Sequence, residues 1–255
     1  MPRYFIQLLY NGANYNGWQV QSNTPNTIQQ VLNDKLSILL GKKTEVVGCG
    51  RTDTGVHAKN YFAHFDCDQA NIHEKECNLV YKLNKILPLD IAVKNVFPVK
   101  DEASSRFDAE SRTYEYYIHR YKDPFLFNNS LYVFGKLDIE LMNVASEYLL
   151  SVTDFTSFSK VNTQNKTNNC KVTYAKWKMI SENEYVFQIT ANRFLRNMVR
   201  AIVGTLLEIG KEKLTYENFK TIISSQNRSA AGMSVPAHAL YLVHIQYPET
   251  IFYGK

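Results

Sequence analysis

Cysteine is scarce: four in 255 residues, at Cys49, Cys67, Cys77 and Cys170. They show no paired spacing and are too few to staple a chain of this length, so a disulfide scaffold is excluded. Cys49, His57, His64, Cys67, His73 and Cys77 lie near enough in sequence to raise the question of zinc. No two of them make the short C-x(2–4)-C step of a structural site, and no metal is expected. No stretch approaches the ~20 apolar residues of a membrane span. The opening MPRYFIQLLYNG has no cleavage-site pattern and reads as a first strand, so the expected location is cytoplasmic, off the membrane. There is no G-x-G-x-x-G run and no Gly-Lys-Ser/Thr, which removes the common dinucleotide- and phosphate-binding loops.

What remains is an ordinary globular composition, with 45% hydrophobic and 21% charged residues. The length suits one large domain or two small ones. A formal charge of +5 fits a polyanionic partner without establishing one. Aromatics reach 13%, enough to fill β-rich cores and to leave a few for stacking on bases.

The first half reads as six elements. Tyr4–Tyr10 is rich in β-formers. Ile28, Val31, Leu32, Leu36 and Leu39 mark one face of a helix over Thr27–Leu40, with Asn26 as cap, Gln29 three residues on, and Gly41 at its end. Strands are expected over Glu45–Cys49, Tyr61–Phe65 and Ile91–Phe97, and a helix over Glu76–Ile86 before Pro88. The second half repeats the β-α-β-β-α-β order. Strands fall at Thr113–Ile118, Val172–Ile180, Tyr185–Ala191 and Leu240–Tyr247. Helices start after Asp138, over Phe194–Ile209, and at Thr215, where Leu214 and Phe219 can form a staple. The expected class is α+β: two ferredoxin-like halves, 1–108 and 109–255, sharing a large mixed or antiparallel sheet and a central cleft.

The segment Gly48–Ala58, GCGRTDTGVHA, carries three glycines in eight positions, which implies unusual backbone angles or close approach. Asp53 sits at its centre, two residues after Arg51. A carboxylate in a tight loop beside a cation suits a nucleophile; an Asp bonding backbone amides in a turn is the structural alternative. The run Lys160–Lys171, KVNTQNKTNNCK, reads either as a solvated loop or as an arm whose Lys160 and Lys166 meet RNA phosphates.

The string G-R-T-D-x-G-V-H-A resembles the signature of the tRNA pseudouridine synthase A family. Other pieces fall in that family's order: Tyr15–Gln19 resembles Y-x-G-W-Q, Leu87–Ile91 resembles L-P-x-D-I, and Arg106–Ala109 resembles R-F-x-A. Arg112–Tyr116 resembles R-x-Y-x-Y, Asp154–Phe158 resembles D-F-x-S-F, and Phe194–Gly204 resembles F-L-x-x-M-V-R-x-I-V-G. The likeness covers essentially the whole chain. Departures are Thr54 in place of the usual Ala, Ser104 for the His ahead of R-F, and Ser234, Val235 and Ala239 near the end.

The resemblance implies a pseudouridine synthase fold and an isomerase that needs no cofactor, since uridine and pseudouridine share one oxidation state. Asp53 would be the nucleophile. Tyr114 would lie against the uracil and take a proton, or else be a core-facing strand aromatic. Arg200 would pair with Asp53, and Leu240 would pack on the uracil face. Arg51 would fill the space left by the base, bind phosphate or orient Asp53. Arg193, Arg196 and Arg200 recur at three- and four-residue steps of the expected helix, so Arg193 and Arg196 are candidates for phosphate. The implied partners are tRNA, at uridines 38, 39 and 40 of the anticodon stem-loop, and a second copy in a homodimer. Two rivals compete: a non-catalytic RNA-binding protein, whose K/R-G-F/Y-G/A-F-V-x-F/Y string is missing, and an Asp-dependent hydrolase, whose second carboxylate is missing around Asp53.

Overall fold

The computed structural model describes residues 1–68, 72, 78–160 and 166–253. His73 and Cys77, the expected helix start at Glu76, and the centre of the Lys160–Lys171 run lie outside them. The chain forms two compact units: Met1–Glu110 with the segment from Leu242 onward, and Ser111–Tyr241. The expected division near Asp108 did not foresee that the last segment belongs with the first.

In the first unit, β1 (Arg3–Tyr10), α1 (Ile28–Leu40), β2 (Val47–Gly48), β3 (His57–Asp66), α2 (Leu79–Ile86) and β4 (Ile91–Val99) follow the β-α-β-β-α-β order. β1 pairs antiparallel with both β3 and β4, and β2 pairs antiparallel with β3, the ferredoxin-like arrangement. Ile28, Leu32, Leu36 and Leu40 are the buried stripe of α1. Its cap is Thr27, whose hydroxyl accepts from the Gln30 N–H at 3.2 Å. Asn26 instead donates its side-chain amide to Asn14 O.

The strand expected over Glu45–Cys49 contracts to two residues for a similar reason. Val46 N–H donates to Asn33 Oδ1 at 2.9 Å, and Val46 O accepts from Gln29 Nε2 at 2.8 Å. Side chains of α1 therefore satisfy the backbone groups that a ladder would have used.

The second unit holds β5 (Ser111–His119), β6 (Leu131–Tyr132), α3 (Ile139–Tyr148), β7 (Val172–Ser181), β8 (Glu184–Ala191), α4 (Met198–Gly210) and α5 (Tyr216–Ser224). Strands run in the order β5-β8-β7, antiparallel, with β6 parallel to the end of β5. α3 packs on β7 and α4. Asp138 caps α3 as expected, accepting from Leu141 N–H, and Thr215, where the last helix was expected to start, is the cap of α5 and accepts from Asn218 N–H. α4 is apolar almost all round, and eleven of its thirteen residues are buried. It begins at Met198, not Phe194, because Asn197 adopts a left-handed φ of 68° that cannot propagate a right-handed helix. Arg193 and Arg196 thus precede the helix and do not share a helical stripe with Arg200.

β9 (Leu240–Gln246) starts in the last two residues of the second unit and runs into the first, beside β3. Tyr247 follows it into the first unit's core, 5.3 Å from the Phe5 ring and 5.4 Å from Phe62, and donates its hydroxyl to Ser105 O at 2.5 Å. Among the described residues no helix is long and apolar enough to cross a membrane.

Candidate active site

In the first unit the segment between β2 and β3 carries Asp53, half-buried between a buried Thr52 and an exposed Thr54. This stretch has no ladder, so its conformation comes from contacts with residues 10–18. Trp18 N–H donates to Thr52 O at 3.2 Å, and Gly55 N–H donates to Tyr15 O at 3.3 Å. The turn closes on itself through Val56 N–H to Asp53 O at 3.1 Å, with Gly55 at φ 79°. Two glycines let the segments touch. A Cβ on Gly12 would sit 2.0 Å from Val56 O; one on Gly17 would sit 2.5 Å from Thr52 O and 3.2 Å from the Asp53 carbonyl carbon. Gly17 also holds φ 84°, where only glycine is unstrained. The Tyr15-to-Gln19 motif and the Asp53 motif, distant in sequence, are therefore two sides of one contact.

An aromatic group supports this contact. Trp18 stacks on Tyr61 with centroids 4.1 Å apart, and Tyr10 lies 5.5 Å from Tyr61 and 6.3 Å from Trp18. Tyr61 donates its hydroxyl to Gly50 O, and the Tyr10 hydroxyl pairs with Thr52 Oγ1 at 2.9 Å. Tyr15 in turn donates to Asp90 Oδ1 at 2.6 Å; burial, then the hydrogen bond to Asp90, pushes the phenol far above its ordinary range. The L-P-x-D-I motif thus anchors the segment that anchors Asp53. Composition gave no signal for Tyr10, Gly12 or Tyr61, whose relation to Asp53 exists only once β1 and β3 pair.

His57 and His64, raised above as possible ligands, are committed to the backbone. His57 Nδ1 accepts from Gly12 N–H at 3.0 Å. His64 Nδ1 accepts from Ser105 N–H at 3.1 Å, and burial with the nearby Arg3 charge lowers this imidazole to about 4. Arg51 is exposed.

The second unit holds the remaining candidates. Tyr114 lies on β5 opposite Ile189 of β8, with its ring edge-on to Phe194 at 5.1 Å. Arg200 lies in the first turn of α4 and donates from Nε to Val235 O at 2.7 Å, while Val235 N–H returns to Arg200 O at 3.2 Å. The strap carrying Val235 is pressed close to the helix. A Cβ on Gly204 would sit 1.8 Å from Met233 O, and Gly232 N–H donates to Thr205 Oγ1 at 3.0 Å. Arg228 reinforces the strap through Gly232 O at 3.1 Å and Ser234 Oγ at 2.8 Å. Buried Tyr116 donates to Pro236 O at 2.9 Å, four residues before the buried Leu240 at the head of β9. The drifted positions Ser234 and Val235 are thus the ones that bind the strap to Arg228 and Arg200.

Of the phosphate candidates, Lys160 and Arg196 are exposed and joined by Lys160 N–H to Arg196 O at 3.1 Å. Arg193 is partly buried, and its charge opposes the burial that pushes the Cys170 thiol up to about 11. Lys166 is exposed.

Comparison with known proteins matches residues 145–248 to a family model described as tRNA pseudouridine synthase. A tRNA pseudouridine synthase A from Porphyromonas gingivalis is 50% identical over 255 residues, covering 99% of this chain and all of the relative. One from Bacteroides thetaiotaomicron is 51% identical over 257 residues, covering 99% of this chain and 93% of the relative. One from Clostridium acetobutylicum is 41% identical over 244 residues, covering 95% and 98%. Identity at this level over nearly the whole chain shows that it belongs to the tRNA pseudouridine synthase A family of isomerases.

Proposed function

We propose that this chain converts uridine to pseudouridine in tRNA, at positions 38, 39 and 40 of the anticodon stem-loop, with Asp53 as the nucleophile. The supporting observation is the loop itself: the chain on both sides of Asp53 is held by backbone hydrogen bonds while the residue stays only half-buried. A carboxylate needed only to cap a turn requires no such external framework.

The reaction breaks the bond between N1 and the ribose C1′, turns the uracil, and joins C5 to C1′; the C5 proton leaves and N1 gains one. A covalent adduct with Asp53 divides this exchange into easier steps. Tyr114 lies against the uracil and accepts the proton released at C5. Arg200 keeps the carboxylate anionic by favouring its charged form, and Leu240 packs on the base. Turning the target base out of its stack costs on the order of a few kcal/mol. Contacts of Arg51, Arg193, Arg196, Lys160 and Lys166 with the sugar-phosphate frame offset that cost. A homodimer, each tRNA touching both copies, and a cytoplasmic location complete the reading.

The test uses tRNA tritiated at uracil C5. Wild type is expected to release tritium without added metal, and Asp53→Asn to release none. Equal release by the two proteins would remove Asp53 from the chemistry.

A further inference from the structure

Two buried hydroxyls have no evident part in holding the sheet together, yet both end on the loop that carries Asp53. Tyr10 is 4% exposed and Tyr61 is fully buried. Phenylalanine would fill either place with the same ring, so what tyrosine adds is one polar atom that must find a partner inside the core. The Tyr61 hydroxyl donates to Gly50 O, and the Tyr10 hydroxyl pairs with Thr52 Oγ1. Room for the Tyr61 hydroxyl is kept by a glycine: a Cβ on Gly48 would lie 2.2 Å from that oxygen and 2.5 Å from the Trp18 ring.

We infer that the hydroxyls of Tyr10 and Tyr61 are positioning groups for Asp53, fixing the chain at residues 50 and 52 so that its carboxylate meets the uridine in one orientation. This rests on the function proposed above. With Trp18 N–H bound to Thr52 O, the chain just before Asp53 has three anchors, and all come from one aromatic cluster. Behind Asp53, Gly55 and Val56 N–H supply two more. Losing a hydroxyl frees one anchor and leaves the ring packing in place, so the effect falls on orientation, where a displacement of about 1 Å costs on the order of a hundredfold in rate.

The experiment measures kcat and KM for C5-tritiated tRNA, with thermal melting, for Tyr10→Phe, Tyr61→Phe, Thr52→Val, Thr52→Ser and the Tyr10→Phe/Thr52→Val pair. Each Tyr→Phe change is expected to lower kcat about tenfold, with KM held within about twofold. Thr52→Val should match Tyr10→Phe, and the pair should lose no more than either alone, because both changes remove one bond. Thr52→Ser, which keeps the hydroxyl, should recover the kcat lost in Thr52→Val. The inference is overturned by wild-type kcat in both Tyr→Phe proteins, by losses in the pair that multiply, or by a loss explained by the fraction unfolded at the assay temperature. Wild type that releases no tritium sinks the functional reading itself, and this inference with it, before any variant is compared.

Discussion

The two units fix their candidate residues by opposite means. In the first, Asp53 stands on a segment without a ladder, and its position is set by contacts with residues 10–18 and two buried hydroxyls. In the second, Tyr114 belongs to a paired strand and Arg200 to a helix, and an external strap is lashed on afterwards. A regular element carries its own hydrogen bonds and tolerates the loss of one neighbour. An irregular segment has the geometry its neighbours impose, so small changes beneath it should reach the chemistry directly.

The sharpest way to break this contrast is to press the same methyl group into both places. Gly17→Ala adds a Cβ 2.5 Å from Thr52 O at a residue with φ 84°. It should lower kcat about 100-fold or more, since the displaced atoms adjoin Asp53. Gly204→Ala adds a Cβ 1.8 Å from Met233 O. Here the strap must lift from a helix that keeps its own ladder, costing about 2–3 kcal/mol in denaturant unfolding, with kcat reduced far less than in Gly17→Ala. If the two glycines rank the other way in kcat, the contrast fails.

A smaller effect separates the units by pH. His64 is held neutral in the fold, its value lowered from 6.5 to about 4. Its contribution is complete above the unfolded value and is lost as pH falls from about 6.5 towards 4, where the unfolded chain takes up a proton that the folded one refuses. Between pH 7 and pH 5 this amounts to roughly 2 kcal/mol. His119 and His238 of the second unit are lowered in the same direction, both by burial, so the whole chain should show a steeper slope than His64 alone. His64→Gln should remove only the first unit's share, read as a flatter dependence of the urea midpoint on pH. An unaltered slope would place the titration elsewhere.

The smallest expected effect concerns the surface. Arg196→Ala should weaken tRNA binding and reduce the slope of log K against log salt by about 1. An unchanged slope would return Arg196 to the ordinary surface.

Much of this was legible in the sequence because it is local. Ile28, Leu32 and Leu36 of the expected stripe, the cap Asp138 and the helix start at Thr215 rest on neighbours a few residues apart, and they appear where the spacing put them, while Val31 and Leu39 stay half-buried and Leu40 completes the stripe. The Asp53 motif was legible as a string, by resemblance, but not as a piece of geometry. Gly12 against Val56 and Tyr10 against Thr52 are contacts across more than forty residues, and no pattern along the chain encodes them. The break at Asn197 escaped because Phe194, Leu195, Met198 and Val199 keep a helical apolar rhythm on both sides of one left-handed residue. The short β2 escaped because Asn33 and Gln29 compete for its backbone from another element.

The seating of Tyr247 among Phe5, Phe62 and Ser105 has a consequence for biosynthesis. Ribosomes deliver this chain from its N-terminal side, so the strand beside β3 and the ring that completes that core follow the whole of Ser111–Tyr241. Ser111–Tyr241 lies between two stretches of the same unit, so the first unit cannot complete its core until the second has been synthesised. Until then the edge of β3 is open to pairing with other nascent chains. A stop codon just after Tyr241 removes most of β9 and should leave the Asp53-bearing part aggregation-prone.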